Sequence, residues 1–316
     1  MAQPTQTQVH VDAILTNISV AYMQKADNFI ATKVFPIVPV DKQSDLYFKY
    51  TKADWFKDEA KPRADATESA GSGYNLGTDS YLATVYAIHK DIGEQTRSNA
   101  DNPLNMDRDA TEFVTSRLML REEVQWVADY FKTGVWGTDV TPTNLWSDYT
   151  NSDPLTDVET GKETILLNTG YEPNTLVLGY QVFRQLKNHP DIVDRYKYTS
   201  ADAITEEMMA ALFGVDRVLV AKAIYNNSAE GHADNYAFTH GKNALLCYSA
   251  PSPSLLAPSA GYVFAWRGVS EGLGNNIGIK NIPMPWLGAN RIEGQIAFAD
   301  KVVGSDLGYF FSGAVA

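Results

Sequence analysis

Five histidines, one cysteine and a scatter of carboxylates are where any chemistry in this chain would have to begin. His10, His89, His189, His232 and His240 lie far apart, without the HxH or HExxH spacing that brings two imidazoles to one metal, so no local zinc site is indicated. His232, His240 and Asp234 form one loose cluster, read as a polar loop. Asp148, Asp153, Asp157 and Glu159 are oxygen donors of the kind calcium takes. The EF-hand frame needs a glycine at its sharp turn, however, and none stands there, so a solvated loop is expected. Gly272-Leu273-Gly274 lacks the third glycine and the strand-to-helix frame of a dinucleotide loop. Cys247, next to Ala244-Leu245-Leu246, excludes an intrachain disulfide and is expected as a buried thiol. Spacing assembles no nucleophile with a base, so no catalytic residue, metal or cofactor is assigned. An acidic intracellular enzyme with its site near His189 or His232 is the contrasting class.

The composition narrows the field further. A chain of 316 residues with 44% hydrophobic and 11% aromatic content can bury a large core. No run of about 20 apolar residues could span a bilayer, and the N-terminus lacks the basic start and apolar centre of a signal peptide, so a soluble, unexported product is expected. A net charge of −12 argues against a surface built to hold nucleic acid, which requires clustered Lys and Arg.

The element with the plainest pattern is 105–131. Met106, Ala110, Phe113, Leu120, Val124, Val127 and Phe131 recur at spacings of mostly three and four, with Arg117 the one charge in the series, which predicts a long helix with one apolar face. At about 1.5 Å per residue it would span roughly 40 Å, the length of a spine. Asn102-Pro103 can start it and Thr133-Gly134 can end it.

Ahead of the spine, residues 1 to about 33 read as an extended or partly helical arm. Val34-Phe35-Pro36-Ile37-Val38-Pro39-Val40 is limited by its prolines to edge-like extended chain. Leu46–Tyr50 and Tyr81–Lys90 are expected to pair as a long hairpin around a charged insertion, 51–80. Within it, the adjacent aromatics Trp55 and Phe56 are costly to expose, and another copy of the chain is the favoured cover.

After the spine, 135–161 reads as a loop with aromatic anchors. A strand, helix, helix, strand succession follows from Pro173 to Tyr225, with helices at Tyr180–Lys187 and Ala203–Phe213. Further strands are expected at Asn243–Ser249, Tyr262–Trp266, Asn290–Ala299 and Leu307–Val315, with an exposed loop over Gly268–Pro285.

Taken in order, VFPIVPVDKQSDLYFKY at 34–50, the charged loop TKADWFKDEAKPRADATESAGSGY at 51–74, PNTLVLGYQVFRQLKNHPDIVDRYKY at 173–198 and the closing DKVVGSDLGYFFSGAVA resemble the major capsid proteins of tailed bacteriophages, with the Hong Kong 97-like fold. The resemblance covers nearly the whole chain and rests on order and texture, not on a catalytic signature. It implies an α+β fold divided into an N-terminal arm at 1–40, an extended β-hairpin loop at 41–90, a peripheral domain at 91–170 with the spine helix, an axial domain at 171–275 and return strands of the peripheral domain at 276–316. It also implies self-assembly into pentamers and hexamers of an icosahedral shell around double-stranded DNA, in the host bacterial cytoplasm. Expected partners are a separate scaffolding protein, a portal and decoration proteins, with no membrane.

The contact candidates between copies are Lys52, Trp55, Phe56, Lys57, Asp58, Glu59, Lys61, Arg63 and Arg117, the last reaching either an acidic neighbour or another subunit. Some members of the family crosslink lysine to asparagine between subunits; none is expected here. An encapsulin-type compartment shell is the alternative within the same fold.

Overall fold

The computed structural model describes residues 24–50, 52–100, 105–196, 204–253, 258–269 and 277–316. Residues 1–23, with His10 and most of the expected arm, lie outside them, as do the Asn102-Pro103 start and Gly272-Leu273-Gly274.

Two five-stranded sheets carry the fold. The strands, in chain order, are β1 (Ile37–Val40), β2 (Ser44–Tyr50), β3 (Leu76–Leu82), β4 (Thr84–Gly93), β5 (Thr138–Val140), β6 (Thr175–Gly179), β7 (Arg217–Ala221), β8 (Ile224–Asn226), β9 (Tyr236–Phe238), β10 (Ala244–Cys247), β11 (Gly261–Trp266), β12 (Gly278–Met284), β13 (Ala289–Val302) and β14 (Gly308–Phe311), with β2-β3 and β8-β9 forming separate two-stranded ribbons. The first sheet is built around β13, which pairs antiparallel with β4 on one edge and with β11 and β12 on the other; β1 runs parallel to β11 at the sheet's margin. Pro39 is tolerated because, among the described residues, that margin has no further strand to receive its missing N–H. The second sheet runs β5-β14-β10-β6-β7. Strands β6, β10 and β14 are buried along their whole length, which is why they read as continuous apolar runs instead of alternating ones.

These sheets cross the expected domain boundaries. Strand β11, inside 171–275, belongs to the first sheet, whereas β5 and β14, from 91–170 and 276–316, belong to the second. The closing residues thus bring three of the expected divisions into one sheet: Tyr309, Phe310 and Phe311 pair with β10 on one side and with Thr138, Asp139 and Val140 on the other.

The spine helix runs Met106–Tyr130, and the Asn105 side chain caps it by accepting from the Arg108 N–H. Its buried face differs from the expected one. Met106, Ala110, Val114, Leu118, Glu122, Glu123, Trp126 and Tyr130 are buried, while Phe113 is exposed. Spacings of four drift by roughly 40° per step on a helix of 3.6 residues per turn, so the buried stripe winds around the axis. The N-terminal half accordingly packs on Ile92 and Ile292 of the first sheet, and the C-terminal half turns into an aromatic cluster with Phe35, Phe131 and Trp136. Arg117 is no intruder in an apolar face: it is exposed and lies over the Phe113 ring at 5.2 Å.

Three further expectations change. The stretch 135–161 contains β5 and the first half of a helix, Pro154–Thr169. Asp153 caps that helix by accepting from Thr156 N–H, so Asp153, Asp157 and Glu159 mark a helix start, not a solvated loop. Gly268–Pro285 contains the strand β12, an edge partner of β13 in which Pro283 is again tolerated. The second hairpin strand is β3, which pairs Ser44 with Leu82 through Tyr50 with Leu76, while Thr84–Gly93 crosses into the first sheet. The switch falls at Ala83, fully buried, whose N–H donates to the Gln43 carbonyl at 2.8 Å. Between β3 and β4 the alternation shifts by one residue, which a single-strand reading of 81–90 cannot register.

Candidate functional site

Register decides what the hairpin offers its surroundings. Residues directly opposite in an antiparallel pair share a face. Tyr47 and Tyr81 therefore turn inward, where their rings lie 5.4 and 4.5 Å from that of Phe264 on β11. The Tyr47 hydroxyl donates to Asp79 at 3.1 Å. On the opposite face stand Leu46, Phe48, Leu76 and Leu82, which are 63%, 58%, 49% and 61% exposed. Full burial of such side chains is worth about 1.5–3 kcal/mol each, so covering this face would release several kcal/mol. Four large apolar side chains on one face of a two-stranded ribbon form an apolar surface that no other described residue covers.

The tip of the hairpin rests on the body of its own chain. Lys52 pairs with Asp306, and the Phe56 ring lies beside Gly170, where an added Cβ would stand 3.5 Å from it. The Trp55 ring lies tilted at 37° to that of Tyr74, centroids 5.8 Å apart, and both remain exposed. Asp54 accepts from the Asn75 N–H at 2.9 Å and closes the loop, which holds its carboxyl below the usual range; Lys57 lies 3.5 Å from it. Arg63 donates to the Thr67 carbonyl, while Asp58, Lys61 and Arg63 are exposed and Glu59 is half-buried. The structure thus gathers Lys52, Trp55, Phe56 and Lys57 at one tip. Arg117 sits on the spine helix away from that tip. The sequence reading named the tip and missed the apolar strand face, although β2 carries its signal as Leu46 and Phe48 at alternate positions.

The residues with chemical potential go elsewhere. His232 and Asp234 are exposed in the loop between β8 and β9, while His240 is fully buried against Glu123, so the expected cluster does not form. Among the described residues, no group of three His, Cys, Asp or Glu side chains is placed to hold a metal. Cys247 is fully buried, and burial pushes its thiol up to about 12, far from a nucleophilic thiolate.

One arrangement has the outline of a catalytic triad. Ser152 Oγ lies 3.0 Å from His189 Nε2, and Asp191 Oδ2 lies 3.5 Å from Nδ1. Yet the Asp191 backbone N–H donates to Nδ1 at 3.3 Å, which places the ring proton on Nε2. Nε2 then donates to Ser152, whose own hydroxyl donates to the Asp148 carbonyl at 2.6 Å. A base must accept the serine proton, and this tautomer cannot. With His189 fully buried, the trio pins the 148–153 turn to the helix that begins at Pro190.

No family model matches the chain. Among curated proteins it is 25% identical over 314 residues to the major capsid protein of Burkholderia phage BcepMu, covering 96% of each chain. It is 26% identical over 318 residues to that of Pseudomonas phage JBD67, covering 97% of each. Among solved structures, a phage-related protein from Bordetella bronchiseptica RB50 superposes with a TM-score of 0.70 at 23% identity, over 92% of this chain and 94% of that one. The capsid of cyanophage P-SCSP1u superposes with a TM-score of 0.63 at 9% identity, over 95% and 92%. The fold is therefore the Hong Kong 97-like fold of phage capsids. Within that class, the chain is similar over nearly its whole length to two phage major capsid proteins.

Proposed function

We propose that copies of this chain close into pentamers and hexamers of an icosahedral shell around double-stranded DNA, with the exposed face of the β2–β3 hairpin laid against a neighbouring copy. The observation that carries this reading is the face itself: Leu46, Phe48, Leu76 and Leu82 stand in water on one side of a ribbon whose other side is anchored on Phe264. A lone ribbon with that surface is a liability in a monomer, and symmetry provides the cover. The polar tip residues Lys52, Lys57, Asp58, Glu59, Lys61 and Arg63, with Arg117 on the spine helix, add weak contacts at the rim, each worth roughly 0–1 kcal/mol when exposed. Many such contacts closed by symmetry give a durable shell from reversible parts.

The arm, extended loop, peripheral and axial divisions remain the working description of the subunit, with β11 counted as peripheral and β5 and β14 as axial because of their pairing. A separate scaffolding protein, a portal and decoration proteins are the partners of this reading, and assembly proceeds in the host cytoplasm. The net charge of −12 suits a wall that encloses DNA without binding it by sequence. Both curated relatives are phage major capsid proteins, which supports a DNA-filled shell over an encapsulin-type compartment. Negative-stain microscopy of the expressed chain, alone and with any scaffold encoded beside it, tests the proposal: closed shells or capsomers are expected, and monomers under every salt condition would overturn it.

A further inference from the structure

The first described residues form a strap from the β8–β9 ribbon to the first sheet. The Gln24 amide pairs with Ile224 of β8 in both directions, donating to its carbonyl at 2.6 Å and accepting from its N–H at 2.9 Å. A single helical turn, Ala31–Val34, follows, and β1 then joins the first sheet. One turn cannot sustain itself, because nucleation costs more than its few hydrogen bonds return. Its two ends are held by side chains from two different parts of the molecule. Glu123 of the spine helix accepts from the N–H groups of Ile30 and Ala31 on one oxygen, at 2.9 Å each. Arg217 of β7 donates to the Val34 carbonyl at 2.9 Å, beside the Ser249 hydroxyl at 2.6 Å.

The second oxygen of Glu123 faces His240 Nδ1 at 3.6 Å, and both side chains are fully buried. His240 is wedged between Trp126 and Phe131, with ring centroids 5.3 and 4.7 Å away, and its Nδ1 lies 3.0 Å from the Thr239 hydroxyl. The other charged groups around the carboxyl are Glu122 on the spine helix and Lys33 on the strap, and Lys33 is itself 3.8 Å from Asp27. The junction therefore joins three elements through one carboxyl group.

We propose that Glu123 is a proton-operated latch: its protonated carboxyl holds the strap against the spine helix and the His240 loop, and its ionisation lets the strap go. Burial, the dominant cause, pushes Glu123 up to about 7 against the two backbone N–H groups that favour its charge, and burial also pushes His240 down to about 3. An ionised Glu123 would thus face a neutral imidazole in a dry site. The Glu123 contribution is complete below the ordinary value of 4.5 and is lost as pH rises through about 7. The His240 contribution, from a depressed value, is complete above 6.5 and is lost progressively as pH falls from there to about 3.

Hydrogen exchange of the full chain, followed by mass spectrometry on peptides covering 24–36 and corrected for intrinsic chemistry, tests this between pH 5 and 9. In the wild type, strap protection is expected to fall by up to about tenfold per pH unit from about pH 5 and to level off above about 7, while peptides covering β14 stay protected. Glu123→Gln, which keeps the accepting oxygen and cannot ionise, is expected to hold the strap across the range. Glu123→Ala should leave it open throughout. A flat wild-type profile, or the same fall in Glu123→Gln, would overturn the proposal. The wild-type titration decides the matter even if a variant fails to fold.

Discussion

Gly294, in the middle of β13, lies directly beneath Leu118 of the spine helix: a Cβ at 294 would come 2.8 Å from Leu118 Cδ1, and Val114 crowds the same point. The helix can approach the sheet this closely only because that position carries no side chain. Gly294→Ala is therefore expected to lift the helix or force rotamers, with a loss of about 1–3 kcal/mol. Denaturant unfolding of the unassembled subunit measures it. An unchanged midpoint would show that the helix does not bear on the sheet there.

Arg291 and Asp91 stand opposite each other on β13 and β4, joined by two hydrogen bonds of 2.8 and 2.9 Å. Hydrogen bonding from Arg291 is the main cause that lowers the Asp91 carboxyl below its ordinary 3.8. Such a group stabilises above its unfolded value, and the contribution is lost as pH falls through the lower folded value. Asp91→Asn is expected to cost about 1 kcal/mol near neutrality, discounted for partial exposure, and the gap from wild type should close below pH 4. Melting curves at pH 7 and pH 3 check both the size and the sign.

His189 joins Ser152 to the helix starting at Pro190 from a fully buried position. His189→Ala would leave the Ser152 hydroxyl with one partner fewer and open a cavity, for a loss of about 2–4 kcal/mol. Thermal unfolding of the variant reads this directly. A variant as stable as wild type would remove the structural role assigned to the trio.

The spine helix was legible in the sequence because a 25-residue segment with regular apolar spacing and an Asn cap has few alternatives. Its face was not. A mixture of threes and fours keeps a stripe nearly straight, so Phe113, Leu120, Val124 and Val127 looked like one wall, whereas the helix changes partners halfway and buries a winding row of fours. Glu122 and Glu123 fall on that row, and no local pattern marks a charge as buried when its partners lie more than 90 residues earlier in the chain. The helix Pro154–Thr169 did carry a readable start, Asp153-Pro154, hidden by the surrounding acids. The strand β12 was obscured by Pro283 and the neighbouring glycines. At the candidate site the tip was visible as adjacent aromatics, but the apolar face required the register, which only the paired strands supply.

The subunit should carry no covalent link to its neighbours. Lys52 is occupied by Asp306 of its own chain, and Lys57 is held near Asp54. Denaturing electrophoresis of assembled particles is expected to show a single band at the monomer mass, and a ladder above it would contradict this.

Replacing Leu46 and Phe48 by aspartate together puts charge on the exposed hairpin face without touching the Tyr47 and Tyr81 anchors. The variant subunit should fold with little loss of stability, since both side chains are already in water, and it should assemble at least tenfold less well by sedimentation. Normal assembly would exclude the face from the contact.

The most direct measurement is a cryo-electron microscopy map of the assembled particle at side-chain detail. The account predicts an icosahedral shell of pentamers and hexamers in which Leu46, Phe48, Leu76 and Leu82 of each copy are covered by a neighbouring copy. A shell in which that face remains open to solvent, or a chain that builds no shell, would contradict it.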